Sequence, residues 1–372
     1  MLFPLLTGLH IWNIAAGVGW FVLLSKRISN VADKQDSGVL IFFAIAGALS
    51  IPLHSILLFF HPIVNLAPGL VSSRFAYHML IVGPTEELSK FLVFLVVVHS
   101  LSLPKEPQDG VIQGAIVGLM FGTIENMAYI NYFGASVWIR PIIATGGHAI
   151  YGAVWGGIYS QAVYAHRNSY DPIVWQRALL GVFLVSVMHG LYNSVLSISP
   201  RIIGSLLSYL LDIGALMLSL VLFRSVIEYS PYRVYPLHRS AEAIPRLVRG
   251  LDFNPKSAII NRNLGLYLMH EGDYRKAAYH LRASIPRLKD ARRARFFASI
   301  CDLHYVPEAR AVRSLRSTWS ALSDAQRDSY SRQLNRILSK DPDTLSRFEY
   351  WKERNFRKKF VPLRRRRGAQ PR

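Results

Sequence analysis

Apolar residues dominate the first 223 positions in long runs, and polar residues come in short clusters between them. A helix needs roughly 20 apolar residues to cross a bilayer. Stretches of about that length cover 3–24, 38–60, 74–98, 110–131, 140–164, 174–198 and 202–223. The pattern predicts an all-α fold: a polytopic transmembrane helix bundle followed by a small helical cytoplasmic domain. The span count is about seven, or eight if the third stretch breaks at Gly83-Pro84, because proline removes a helix donor and disfavours helix in the residue before it. The first stretch lacks a basic leader and exceeds a signal-peptide core, so it reads as a retained span.

Charge sharpens this division. Residues 1–223 carry 10 Lys+Arg and 9 Asp+Glu, whereas 224–372 carry 33 and 14, a net +19 of the total +20. The domains expected are therefore 1–223 for the membrane body, 224–352 for a basic helical tail and 353–372 for a basic disordered C-terminus. A basic tail directly after apolar spans fits an anionic lipid surface; nucleic acid is the minority reading. Cys301 is the only cysteine, so no intrachain disulfide forms, which fits a tail in a reducing compartment. Lys26, Arg27, Lys34, Lys105, Arg167 and Arg177 fall on alternate connections, with only Arg74, Arg140 and Arg201 at the opposite span edges. The positive-inside rule then places the N-terminus outside and the tail in the cytoplasm.

Ionisable residues inside the spans change the picture most. Each costs about 2.5–3.5 kcal/mol at the helix centre on insertion scales, so such groups face the bundle interior and mark function. They are Glu86, Glu87, Lys90, Glu125, His148, His189 and Asp212, with Asn126 and Asn193 beside them. Glu86 and Glu87 stand four and three residues before Lys90, so all three share a helix face. One carboxylate can pair with the lysine; the other is left beside a like charge, poised to take a proton. Phe121 and Glu125 share a face, as do His189 and Asn193. Gly152 and Gly156 form a small-xxx-small pair beside His148 that lets helices approach closely. His10, His54, His61, His78 and His99 read as structural hydrogen-bonding groups, and Asp212 stays open between structure and function. No G-x-S-x-G elbow and no H-E-x-x-H pair occur, and Cys301 lies outside the membrane body. Three Glu and two His could still hold a zinc ion.

Glu86-Glu87-x-x-Lys90, Phe121-x-x-x-Glu125-Asn126, His148 and His189-x-x-x-Asn193, in that order on successive spans, resemble the PrsW-type glutamic intramembrane peptidases, relatives of the CAAX prenyl endopeptidases and bacteriocin-processing proteins. The resemblance covers about residues 70–200. Glu125 stands where the wider superfamily tends to carry histidine, which agrees with the PrsW branch. The resemblance implies that Glu86 is the general base, with Glu87 or Glu125 assisting. It gives His189 and Asn193 the oxyanion, lets His148 orient or protonate, and has Lys90 set the charge of the pair, with Asn126 as structural support. It implies no metal, a membrane-protein substrate, a bacterial cell membrane, and regulated release of a transcription factor or anti-sigma protein.

In the tail, residues 263–285 resemble one tetratricopeptide-like helix pair, within a unit near 254–286. Leu264, Gly265, Gly272, Tyr274, Ala277 and Leu281 fall at its packing positions. Such a module could dock a substrate or another protein. The expected function is intramembrane hydrolysis of a peptide bond by glutamate-activated water. The alternatives are a zinc-dependent membrane protease using the same Glu/His set, and a non-enzymatic membrane transporter or scaffold. A transporter predicts inverted repeats, and the motifs differ between the two halves.

Overall fold

The computed structural model describes residues 8–29, 37–62, 73–101, 104–134, 138–196, 201–288 and 290–356. All regular elements among them are helices. Two compact units form: Met1–Val234 with Arg246–Ile259, and Tyr235–Pro245 with Ile260–Arg372.

The first unit contains α1 (Gly8–Ser29), α2 (Ser37–Phe59), α3 (Gly83–Ser100), α4 (Pro107–Phe133), α5 (Arg140–His166), α6 (Pro172–Leu196) and α7 (Arg201–Tyr229). These follow the apolar stretches. Among the described residues, four segments are long and apolar enough to cross a membrane: Gly38–Phe59, Pro107–Phe133, Pro172–Leu196 and Leu206–Glu228. The first has 22 residues, which at 1.5 Å per residue gives about 33 Å, a full hydrocarbon core. Ile41, Phe42, Leu49, Phe183, Leu210 and Val221 point outward and are exposed, as lipid-facing side chains must be and as water-facing ones rarely are. The chain is an integral membrane protein.

α4 is the hub. Of its most apolar stretch 61% is buried, against 11% for α7. Glycines explain how a neighbour comes so close. Gly110, Gly114, Gly118 and Gly122 recur every fourth residue of α4 and so line one face. A Cβ on Gly114 would lie 2.1 Å from the carbonyl oxygen of Gly152, and one on Gly118 would lie 2.0 Å from that of His148. α4 and α5 therefore touch backbone to backbone, the close approach that small residues permit between membrane helices.

The break considered at Gly83-Pro84 does not form. A helical turn at Arg74–Tyr77 runs into a π-helical turn at His78–Val82 and directly on into α3. Pro84 has no N–H to give, and a π turn absorbs the missing bond without ending the helix.

The second unit includes α9 (Ala258–His270, after α8, Ser240–Phe253), α10 (Tyr274–Ser284), α11 (Arg292–Asp302), α12 (Glu308–Ser320), α13 (Asp324–Ile337) and α14 (Pro342–Phe356). Its core is aromatic: Phe296 packs against Trp319, Tyr330 and Phe348 at ring separations of 5.4, 5.9 and 5.8 Å. α9 and α10 meet where a Cβ on Gly265 would lie 2.6 Å from Leu281 Cγ. Caps set the helix starts. Asp273 accepts from the Lys276 N–H, Ser323 and Gln326 form a capping box, and Asp341 accepts from the Thr344 N–H. Residues 353–356, expected to be disordered, close α14, and the basic run 357–372 lies outside the described residues.

Candidate active site

The π turn ahead of α3 packs against α6 through two glycines. A Cβ on Gly83 would sit 2.5 Å from the Ser186 carbonyl oxygen, and one on Gly190 would sit 2.8 Å from that of His78. This contact holds His189 beside the two glutamates. On the other side, the glycine line of α4 brings His148 and Trp155, two helical turns apart on α5, against α3.

Lys90 stands at the centre, fully buried. Its Nζ lies 2.7 Å from Glu87 Oε1, 3.4 Å from Glu86 Oε2 and 3.0 Å from His148 Nδ1. These contacts use all three ammonium donors. The ring of Phe121 lies 4.0 Å from Nζ, adding a cation–π contact. Because the lysine can only donate, His148 Nδ1 accepts and its proton sits on Nε2. That nitrogen faces Glu125 Oε2 at 3.1 Å.

The two adjacent carboxylates are held very differently. Glu87 receives Lys90 and His189 Nδ1 on Oε1, the latter at 2.8 Å, and Trp155 Nε1 on Oε2 at 3.1 Å. It is locked. Among the described residues, Glu86 has only the 3.4 Å contact to Lys90 and His189 Nε2 at 3.6 Å. Its carboxylate keeps acceptor capacity for another group.

Glu125 is paired a second time, with Arg140 Nη2 at 3.2 Å. Arg140 also donates to Asn126 Oδ1 at 3.1 Å, and Asn126 donates to Thr145 at 2.8 Å. Asn193 joins Glu125, Arg140, His148, Tyr151, His189 and Asp212 around a cavity of about 10 Å³, room for about one water molecule. Asp212 and Tyr151 both line this cavity.

The eight residues given roles by the resemblance thus fall in one connected region, with Asp212 on the same cavity. Glu86, Glu87, Lys90, His148 and His189 form its centre, Glu125 and Asn126 attach through His148 and Arg140, and Asn193 borders the cavity. The sequence reading missed Trp155 and the pairing of Arg140, at the start of α5, with Glu125. A buried Glu125 in need of a counter-charge was the available signal. His10 Nε2 bonds Asn131 at 3.0 Å and His99 Nδ1 bonds the Leu95 carbonyl at 2.9 Å, plain structural contacts.

The motif-bearing helices fall inside residues 35–224, about half of the chain, which match a family model described as PrsW family intramembrane metalloprotease. This chain belongs to the PrsW family. It is 32% identical to Protease PrsW of Shouchella clausii over 173 residues, 46% of this chain and 75% of that protein. Protease PrsW of Geobacillus kaustophilus is 30% identical over 36% of this chain and 58% of its own length. For Protease PrsW of Bacillus subtilis the figures are 28%, 31% and 51%. The chain thus spans only about half the length of the latter two. No solved structure matches.

The family description raises the question of a metal. Donor atoms of Glu86, Glu87, His148 and His189 lie within 4.8 Å of one another, and two carboxylates with two imidazoles are zinc-type donors. Yet the Lys90 ammonium already sits 2.7–3.4 Å from three of those four residues. A dication about 2.0–2.2 Å from the same donors would meet a like charge at contact distance. As arranged, the set does not fit a dication unless Lys90 leaves.

Proposed function

We propose that this PrsW-family chain is an intramembrane endopeptidase that cleaves a membrane-associated protein with water activated by Glu86. The observation that carries the reading is the asymmetry of the carboxylates. Glu87 accepts three hydrogen bonds and holds Lys90 in place, while Glu86 is the loosely held acceptor. General-base catalysis needs such a free carboxylate within reach of a water.

In this reading Glu86 takes a proton from the water, and the hydroxide adds to the scissile carbonyl carbon. His189 and Asn193, on one face of α6 and both bordering the small cavity, donate to the oxyanion as it forms. Glu86 then returns the proton to the leaving nitrogen, the C–N bond breaks, and acid and amine products separate. Lys90 supplies the fixed positive charge beside Glu86, and Glu125 keeps the His148 proton on Nε2. The role usually given to a metal falls to this lysine. Zinc dependence is the second reading, favoured by the donor set and by the family model's description, and it requires Lys90 to move.

The setting proposed is a bacterial cell membrane, with the N-terminus outside and the basic tail on the cytoplasmic, anionic lipid face. Regulated proteolysis of a membrane-held regulator is the corresponding role. Two measurements test the reading. Activity of the protein in liposomes persists after exhaustive chelation, whereas loss restored by zinc contradicts the metal-free mechanism. Comparative proteomics of wild type against Glu86→Ala shows a membrane protein accumulating uncut, and unchanged processing of every membrane protein contradicts the function.

A further inference from the structure

The second unit carries a groove that its own packing leaves open and that the peptidase reading does not use. Its volume is about 640 Å³. One wall is a stripe of α12, Glu308, Val312 and Arg316, spaced by one helical turn. The opposite wall is a stripe of α14, with Arg347, Tyr350, Trp351 and Arg354 at the same spacing. Leu303 and Val306 lie between them.

Two features mark this groove as built for a ligand. The first is charge: three guanidiniums face one carboxylate, Glu308. Some arginines of the unit are ion-paired, as in Arg282–Asp302, Arg292–Asp290 and Arg327–Asp324, so what sets the groove apart is three guanidiniums gathered on one apolar floor. Among the described residues, Arg316, Arg347 and Arg354 make no ion pair; Arg316 donates to Asn355 Oδ1 within the groove, and all three are exposed. The second is the apolar surface beneath them. The Tyr350 side chain is 66% exposed beside the buried Trp351, and Val312 and Leu303 are half-buried. Guanidinium forks bind carboxylates through two parallel hydrogen bonds, and an aromatic floor takes an apolar side chain.

We propose that this groove binds an acidic segment of a partner protein, with carboxylates on Arg316, Arg347 and Arg354 and an interleaved apolar side chain against Trp351 and Val312. A lipid headgroup would need the charges but not a floor recessed between two helices. Spacing of the cations along both walls suits carboxylates distributed along a chain. The proposal is independent of the catalytic assignment.

The test uses the full-length protein in nanodiscs of neutral lipid and a fluorescent short peptide of alternating Glu and Leu. The expected result is saturable binding that weakens roughly tenfold or more when each Glu is replaced by Gln, and by a similar factor in Arg316→Glu and in the double variant Arg347→Glu/Arg354→Glu. All three arginines are exposed, so helicity by circular dichroism and cleavage of a short membrane substrate stay at wild-type values. Equal affinity for the Glu and Gln peptides overturns the proposal, as does undiminished binding by the charge-reversed variants. Failure to bind the acidic peptide, while the same variants lose affinity for phosphatidylserine vesicles or an oligonucleotide, also overturns it and assigns the groove to that ligand.

Discussion

The two units of this chain are built inside out with respect to each other. In the first, Lys90, Glu87 and His189 lie buried while Phe42, Phe183 and Leu210 face outward. In the second, Phe296, Phe348 and Ile300 lie inside while Arg316, Arg347 and Arg354 face outward. The solvent explains the reversal. Hydrocarbon gives apolar residues no reason to turn inward, so the membrane unit is held by backbone proximity and by polar groups that must find one another. Water drives the second unit to bury its rings. Charge is thus the cohesive element in one unit and the proposed recognition surface of the other.

Four substitutions break that comparison at different points. Lys90→Met removes the one cation shared by Glu86, Glu87 and His148, leaving buried carboxylates uncompensated. A loss of about 3–5 kcal/mol is expected, read as a large drop in the unfolding temperature in detergent. An unchanged temperature would show that the buried cluster contributes nothing to cohesion. Phe296→Ala empties the aromatic core of the second unit at a cost of about 3–5 kcal/mol. Calorimetry should show one transition lowered while cleavage of a short membrane substrate persists.

Gly122→Ala comes next. Its Cβ would lie 2.7 Å from His148 Cδ2, so the ring must shift away from Lys90 and Glu125. Overpacking of this kind costs about 1–3 kcal/mol, and kcat should fall further than stability does. Equal losses in both would make His148 a packing residue.

The smallest effect concerns Asp341. Burial alone would raise its pKa, but hydrogen bonds from Tyr274 and from Thr344 outweigh burial and hold it below the ordinary 3.8. A depressed carboxylate adds stability that is present above its unfolded value and lost as pH falls through the folded one. The second unit should therefore lose stability as pH drops below about 4, in line with the ordinary aspartate value. Asp341→Ala should cost about 1 kcal/mol at neutral pH and flatten that acid limb. An unaltered limb would remove Asp341 from the account.

Much of this molecule was legible in its sequence because hydrocarbon imposes a coarse rule. Long apolar runs pointed to the helices, and ionisable residues within them pointed to the candidate site. What escaped depends on pairs of helices. The Gly110-Gly114-Gly118-Gly122 run was visible, but only the Gly152-Gly156 pair was read, so the axis that places His148 went unnoticed. Gly83-Pro84 allowed a break in the third stretch. The helix instead runs through, and the carboxylates are stabilised by Lys90, His189 and Trp155. Local chemistry at a proline does not reveal whether a π turn will carry the chain past it. Nor does any spacing rule bring Trp155, 68 residues away, onto Glu87.

The central claim is that Glu86, the loosely held member of the pair, activates the water. Its most direct test is the kcat of Glu86→Gln in liposomes against wild type, on one membrane substrate and at matched folded fraction. The account predicts a fall of about 10²–10⁴-fold, with the unfolding temperature close to wild type because Glu87 keeps Lys90 in place. A kcat within threefold of wild type would contradict it.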